Sequence, residues 1–129
     1  MLVDTSAFVG TFMRDDDWHE PAVEAMEKLQ AGGKMMLTTS DVSLTVLRRW
    51  AGHAQAVKVG DILRKSGLVK LVSIDDATRE AAWKLFKKYD DQLLSFTDCT
   101  SFATMDRFQI QEAFTFDDDF RKVGYTVLP

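Results

Sequence analysis

The sequence predicts an α/β protein in which a parallel sheet is sandwiched between helices. Short apolar runs suited to buried strands alternate with longer segments in which apolar residues recur at helical spacing. The chain has no internal repeat, low-complexity segment or Pro/Gly-rich linker, so we expect one domain over residues 1–129. The runs that we predict to be strands are residues 1–4, 35–38, 68–74, 112–116 and 125–128.

Helical patterns occupy the stretches between these runs. Hydroxyl or carboxylate side chains stand where a helix N-cap is expected: Thr5 or Ser6 for the first helix, Ser40 for the third, Asp75 for the fifth and Thr97 for the last. The predicted helices run from Thr5 or Ser6 to about Met13 and over residues 20–30, 41–50, 54–65, 76–89 and 97–108.

Composition and charge restrict the class of protein. A net charge of −4 excludes a surface coated in positive charge, although a local basic patch for nucleic acid remains compatible with it. The single cysteine, Cys99, allows no internal disulfide and suits a reducing cytosol. No apolar stretch is long enough to span a bilayer, and the first strand-like run starts at Met1, so we expect neither a membrane segment nor a signal peptide. We therefore expect a cytoplasmic location.

Acidic residues stand where the apolar runs stop. Asp4 follows the first run, Asp41 lies just after the second, Asp98 opens the last helix, and Asp117 follows the fourth run. The carboxyl ends of parallel strands share one edge of a sheet, so these carboxylates are expected to converge there. Like charges repel one another unless a cation lies between them. The pattern therefore predicts a divalent metal site.

Each acidic position also has a purely structural interpretation. Asp4 alone could cap the first helix, Asp98 could be an ordinary first-turn charge, and Asp117 to Asp119 could form a solvated turn. Their coincidence at one edge favours the metal site. Ligation by oxygen alone favours Mg²⁺ or Mn²⁺ over zinc, and a magnesium site that keeps bound waters suits hydrolysis of a phosphodiester.

Three segments in this order resemble the acidic motifs of one known family. Val3-Asp4-Thr5-Ser6-Ala7-Phe8 is similar to the opening of PIN-domain nucleases, the family of VapC-type toxins. Residues 95–102 (SFTDCTSF) and 113–120 (AFTFDDDF) resemble the third and fourth acidic motifs of that family, and the ending 124–129 (GYTVLP) is also similar. The resemblance covers essentially the whole chain. It implies a three-layer α/β/α sandwich with a mostly parallel central sheet.

The same resemblance implies Mg²⁺- or Mn²⁺-dependent cleavage of RNA by a toxin of a toxin–antitoxin pair. It places the catalytic and metal-binding roles on Asp4, Asp98 and Asp117, with Ser6 and Thr97 as nearby polar supports and Asp119 as an outer member. The implied partners are an RNA substrate and an antitoxin protein, which helices 20–30 and 41–50 could receive. A homodimer that buries Trp50 and Trp83 is a further expectation.

One position departs from the family pattern. Aligning residues 38–45 (TTSDVSLT) on the family's second acidic motif places Thr45 where a carboxylate, most often Glu, is expected. Asp41 lies one helical turn earlier and could partly replace it, although a ligand shifted by one turn moves ~5 Å along the helix axis. The alternative function is therefore a catalytically weakened or inactive PIN-like module that binds RNA or protein.

A phosphoacceptor receiver domain has a similar length and sheet type. Such a domain needs paired acids near the first strand, a central acceptor aspartate and a late lysine. The first strand here supplies only Asp4, and the run 68–74 ends without an acceptor other than Asp75-Asp76. The sequence therefore favours the nuclease over the receiver domain.

Overall fold

Five short strands, all parallel, form one sheet at the centre of the computed structural model. The structure describes the backbone of residues 1–129 and every side chain except those of Ser40 and Asp41. The strands are β1 (Leu2–Val3), β2 (Met36–Thr38), β3 (Val69–Leu71), β4 (Glu112–Phe114) and β5 (Thr126–Leu128). Their order across the sheet is β3-β2-β1-β4-β5. All five predicted strands are present, each shorter than its apolar run.

Six helices connect and cover the strands. They are α1 (Thr5–Phe12), α2 (His19–Ala31), α3 (Ser40–Lys65), α4 (Asp76–Lys88), α5 (Phe96–Arg107) and α6 (Asp119–Val123). The two helices predicted over 41–50 and 54–65 are the two arms of α3, which kinks at Gly52, where φ is +83°. The short α6 is absent from the sequence prediction. No described helix is both long enough and apolar enough to cross a membrane.

Alternate residues of the central strands point to opposite faces of the sheet. Val3, Met36 and Phe114 are buried with residues of α1, α2 and α3. Their neighbours Leu2, Leu37 and Ala113 are buried with residues of α4, α5 and α6. Strands that are apolar on both faces are typical of parallel sheets covered by helices on both sides. The predicted three-layer α/β/α sandwich is confirmed.

The caps of three helices differ from the prediction. Asp4, rather than Thr5 or Ser6, is the N-cap of α1 and accepts the backbone N–H of Ser6. Ser95, rather than Thr97, caps α5. The N-cap of α3 is Thr39, one residue before the expected position. The predicted Asp75 cap of α4 is confirmed. A cap must keep extended backbone angles while its side chain turns back to the first free N–H groups, and several neighbouring hydroxyl residues satisfy the sequence rule equally well.

The order of the strands reverses beside β1. From β1 the chain moves outward to β2 and β3 on one side, and it then returns to place β4 and β5 on the other side. In open parallel sheets, the crevice at such a reversal lies beyond the carboxyl ends of the two central strands and is the usual place for a ligand. Here Asp4 follows β1, and its backbone N–H donates to the carbonyl of Phe114, the last residue of β4, at 3.0 Å.

Candidate metal centre

Asp4 is held at the end of β1 by hydrogen bonds to one of its two oxygens. Its Oδ2 accepts the backbone N–H of Ser6 at 3.1 Å and the Ser6 hydroxyl at 2.8 Å. The hydroxyl of Thr115, which follows β4, donates to the same oxygen at 3.2 Å. The carboxylate that caps α1 is therefore also tied to the residue that follows the neighbouring strand, so the capping role of Asp4 leaves it at the edge where the other acidic residues converge.

Asp98 is fixed by a capping box at the start of α5. Its Oδ2 accepts the backbone N–H of Ser95 at 2.8 Å and the Ser95 hydroxyl at 2.6 Å, while its own N–H donates to Ser95 Oγ at 3.1 Å. Such reciprocal bonds satisfy two otherwise free N–H groups and restrict the rotamer of the acidic side chain. The position in the first turn also places the carboxylate near the positive end of the helix dipole.

Asp117 and Asp119 are positioned by the turn that leads from β4 into α6. The backbone N–H of Asp117 donates to Thr115 Oγ1 at 3.0 Å, and Asp117 Oδ1 accepts the N–H of Asp119 at 2.9 Å. Lys122 donates to Asp119 Oδ1 at 2.6 Å. Thr115 therefore donates to the Asp4 carboxylate and accepts from the Asp117 backbone, so one buried side chain links the carboxylate of Asp4 to the turn that carries Asp117.

Three carboxylates converge at this edge of the sheet. One oxygen each from Asp98, Asp117 and Asp119 lie within 4.8 Å of one another, and all three residues are half-buried. Burial raises the pKa of Asp98, and the charges of Asp117 and Asp4 raise it further. Burial also raises the pKa of Asp117, as do the charges of Asp119 and Asp4. Burial is the larger cause of both shifts, and the smaller part that comes from repulsion between the carboxylates is the part that a bound cation would relieve directly.

The donor set fits a divalent cation that prefers oxygen ligands. Each of the carboxylates of Asp4, Asp98, Asp117 and Asp119 accepts hydrogen bonds from the described residues through just one of its two oxygens. The second oxygen of each carboxylate is therefore available to a ligand, while the first fixes the orientation of the group. Carboxylate oxygens without nitrogen or sulfur ligands suit Mg²⁺ or Mn²⁺ rather than Zn²⁺.

The predicted site residues take different places around this cluster. Asp98 and Asp117 lie in the close triple, and the charge of Asp4 acts on both. Ser6 donates its hydroxyl to Asp4. Asp119, expected only as an outer member, completes the triple. Thr97 lies in the first turn of α5 with a half-buried side chain, and Thr45 is exposed on α3. The supporting role expected of Asp41 lies outside the described side chains.

Thr115 is a site residue that the sequence did not indicate. Its side chain is buried, with 1% of its surface exposed, and it bridges the two central strands. A threonine inside an apolar run has the pattern of an ordinary strand residue, so only the pairing of β1 with β4 identifies its role. The Asp-x-Asp spacing of 117 and 119, by contrast, is a sequence signal for the local turn that it forms.

Comparison with known proteins supports the interpretation of this fold and cluster. Residues 1–125 match the family model described as PIN domain. The chain is 33% identical, over 97% of its length and 95% of theirs, to the 23S rRNA-specific endonuclease VapC20 of Mycobacterium tuberculosis strains CDC 1551 and H37Rv. The crystal structure of M. tuberculosis VapC20, described as a sarcin-ricin loop cleaving toxin, superposes with a TM-score of 0.86 at 31% identity, covering 99% of this chain and 98% of that one. The chain belongs to the PIN-domain family and is homologous to the VapC20 toxin.

Proposed function

We propose that this protein is a VapC-type endoribonuclease toxin that hydrolyses RNA phosphodiester bonds with Mg²⁺ or Mn²⁺. The observation that carries the proposal is the convergence of Asp98, Asp117 and Asp119 within 4.8 Å, beside Asp4, at the point where the strand order reverses. Similarity to VapC20 over the full chain supports the same activity and favours ribosomal RNA as the class of substrate.

The proposed roles follow from the geometry of the carboxylates. Asp98, Asp117 and Asp119 would hold the cation through their carboxylate oxygens, and the charge of Asp4 would add to the negative site. When bound, the cation supplies an activated water and neutralises the phosphoryl oxygens of the substrate. Ser6, Thr115 and Ser95 keep the carboxylates oriented, so little reorganisation is needed when RNA arrives.

Incubating a mixed pool of single-stranded RNAs with the protein tests this function. We expect fragments with Mg²⁺ or Mn²⁺, and none after a chelator removes the cation. Restoring the cation should restore cleavage, which separates metal dependence from irreversible damage. Equal cleavage with and without the chelator would show that the nuclease does not need the carboxylate cluster, and no cleavage under any condition would remove the assignment.

The threonine at position 45 is the basis of the alternative, a PIN-like module that binds RNA without cutting it. We expect the parent to cut RNA and Thr45→Glu to lower the Mg²⁺ concentration for half-maximal cleavage by up to ~10-fold, because a further carboxylate would strengthen cation binding. Thr45→Gln, with the same length but no charge, should behave as the parent. If the Thr45→Glu variant cuts RNA and the parent does not, the result would favour the binding module.

The partners of the proposed toxin follow from its activity. An uninhibited ribonuclease would damage its own cell, so we propose an antitoxin protein as a partner and a cytoplasmic location where RNA is present. The two arms of α3 meet at Gly52 and pack near each other at Leu44 and Gly60, and the groove between them could receive such a protein. A homodimer is also part of the proposal. Size determination of the protein alone and after co-expression with the adjacent reading frame would test both.

A further inference from the structure

A pair of aromatic rings lies next to the acidic cluster. The rings of Trp18 and Phe116 stack with their centroids 5.0 Å apart and their planes 13° from parallel. Phe116 directly precedes Asp117, so the pair adjoins the proposed cation site along the chain. Trp18 nevertheless keeps 53% of its surface exposed, which is unusual for so large an apolar side chain. Stacking on Phe116 therefore occupies one side of the indole and leaves much of it open to a ligand.

Backbone hydrogen bonds hold Trp18 in place. The backbone N–H of Trp18 donates to Asp16 Oδ1 at 2.9 Å. The next residue, His19, makes a hydrogen bond through its ring Nδ1 to the backbone carbonyl of Gly10 at 2.8 Å. A Cβ at Gly10 would lie only 3.0 Å from Ala22 Cβ and 3.4 Å from the Trp18 carbonyl oxygen, so the glycine permits this close approach. These contacts fix the backbone from which the indole extends, and the stack on Phe116 orients the ring, which lowers the entropic cost of binding a ligand.

Phe116 is fixed from the opposite side. Its backbone N–H donates to Ser6 Oγ at 3.1 Å, and its ring packs edge-on against the buried ring of Phe114, 5.9 Å away. Ser6 also binds Asp4, so the aromatic pair and the carboxylates share one hydrogen-bond network. Any ligand that stacks on Trp18 is therefore held in a defined position relative to the cation site.

An open groove of about 480 Å³ runs from Trp18 to Asp117. Thr5, Ser6, Val9 and Val46 line it together with the aromatic pair. The volume lies in the range of small-ligand sites and is sufficient for one nucleoside. Asp16 also lines the groove and lies beside Trp18, whose backbone N–H it accepts, so its charge disfavours a phosphate at the aromatic end and favours a neutral flat group there.

We propose that Trp18, supported by Phe116, is a stacking platform for a nucleobase of the single-stranded RNA next to the phosphodiester at the acidic cluster. This inference rests on the proposed function and specifies how its substrate is held. The base stacks on the indole while its neighbouring phosphate lies toward the cation side of the groove. Stacking tolerates every base because each presents a π-face, so the platform positions the strand without reading its sequence.

Fluorescence of Trp18 tests the platform without any cleavage. Trp50→Phe and Trp83→Phe together leave Trp18 as the only tryptophan. With Ca²⁺ in place of Mg²⁺, a ten-nucleotide single-stranded RNA should quench this fluorescence in a saturable manner, and an abasic ribose-phosphate chain of equal length should not. Equal quenching by both chains would overturn the proposal. Quenching by an arginine-rich peptide but not by RNA would overturn it in favour of a protein ligand.

Cleavage kinetics supply the second arm. Trp18→Leu should raise KM for single-stranded RNA about tenfold with a smaller change in kcat, since one base stack on an aromatic ring is worth roughly that factor. Trp18→Phe should recover most of the loss because it keeps an aromatic face. Trp83→Leu is the matched control, since Trp83 is 48% exposed and also stacks on a phenylalanine, Phe86, but lies on α4 in the opposite helical layer.

The two hypotheses fail in different ways. An unchanged KM for Trp18→Leu, with active parent protein, would overturn the platform and leave the nuclease assignment intact. Absence of cleavage by the parent would remove the nuclease assignment, and the fluorescence comparison between RNA and the abasic chain would still decide the platform. Thermal melting of Trp18→Leu should match that of the parent, which excludes unfolding as the cause of a raised KM.

Discussion

Asp98→Asn is expected to lower kcat/KM for metal-dependent RNA cleavage by more than ~100-fold, because loss of even an outer partner of a metal ligand costs 10–100-fold. Asparagine keeps the shape and one acceptor oxygen but removes the charge from the close triple of carboxylates. The variant should fold, since the amide oxygen can still accept the hydrogen bonds of Ser95. Initial rates across a Mg²⁺ titration, together with a thermal melt, measure both effects.

Two control variants separate the charge of Asp98 from its capping role. Asp76→Asn changes another aspartate in the first turn of a helix, here α4, that is exposed and lies outside the acidic cluster, and it should retain parental activity. Ser95→Ala removes the cap of α5 while leaving the Asp98 carboxylate, so it should cost about 1 kcal/mol of stability and much less activity than Asp98→Asn. Parental turnover by Asp98→Asn would remove this residue from the proposed site.

Phe102→Ala is expected to reduce the free energy of unfolding by about 3–5 kcal/mol, as large-to-small changes of buried aromatic residues do. Phe102 is fully buried on α5, edge-on to Phe120 at 4.9 Å and stacked with Tyr125 at 5.5 Å. Such a loss is a large fraction of the stability of a small domain. Urea denaturation at constant pH should show a lower midpoint with an unchanged slope.

The same packing links the core to the acidic cluster. Phe102 lies one helical turn after Asp98, and its contact Phe120 directly follows Asp119, so the two rings set the distance between α5 and α6. Phe108→Ala is the control on the same segment, because Phe108 is 38% exposed and should lose less than about half as much stability. Similar losses for both variants would mean that the interface of α5 with α6 contributes little to the core.

Much of the site could be predicted from the sequence because its parts are local to strand ends. Asp4 directly follows β1 and Asp117 comes three residues after β4, so the alternation of strands and helices is enough to place both at one edge. The capping box around Ser95 and Asp98 is also visible as a hydroxyl followed three residues later by an acid. Thr97, the predicted cap, is followed three residues later by Thr100 and so lacks the acid that completes a capping box.

The remaining features depend on contacts between distant parts of the chain. The bridge from Thr115 to Asp4 and the stack of Trp18 on Phe116 require β1, β4 and the segment before α2 to be assembled. No local pattern distinguishes Trp18 from an ordinary packing residue. The kink of α3 at Gly52 needs a positive φ, which glycine permits but does not require. The sequence therefore does not show whether the predicted helices over 41–50 and 54–65 join directly at a kink or are separated by a loop.

The bond between Thr115 and Asp4 joins residues 111 positions apart. During synthesis, a ribosome that has produced the elements from β1 to α5 therefore carries a chain that still lacks Asp117 and Asp119, two of the three converging carboxylates. They can meet only after β4 and the turn that follows it have left the exit tunnel and paired with β1. A toxin whose target is RNA would thus lack its acidic cluster until the segment that carries β4 and α6 has been made and has joined the sheet.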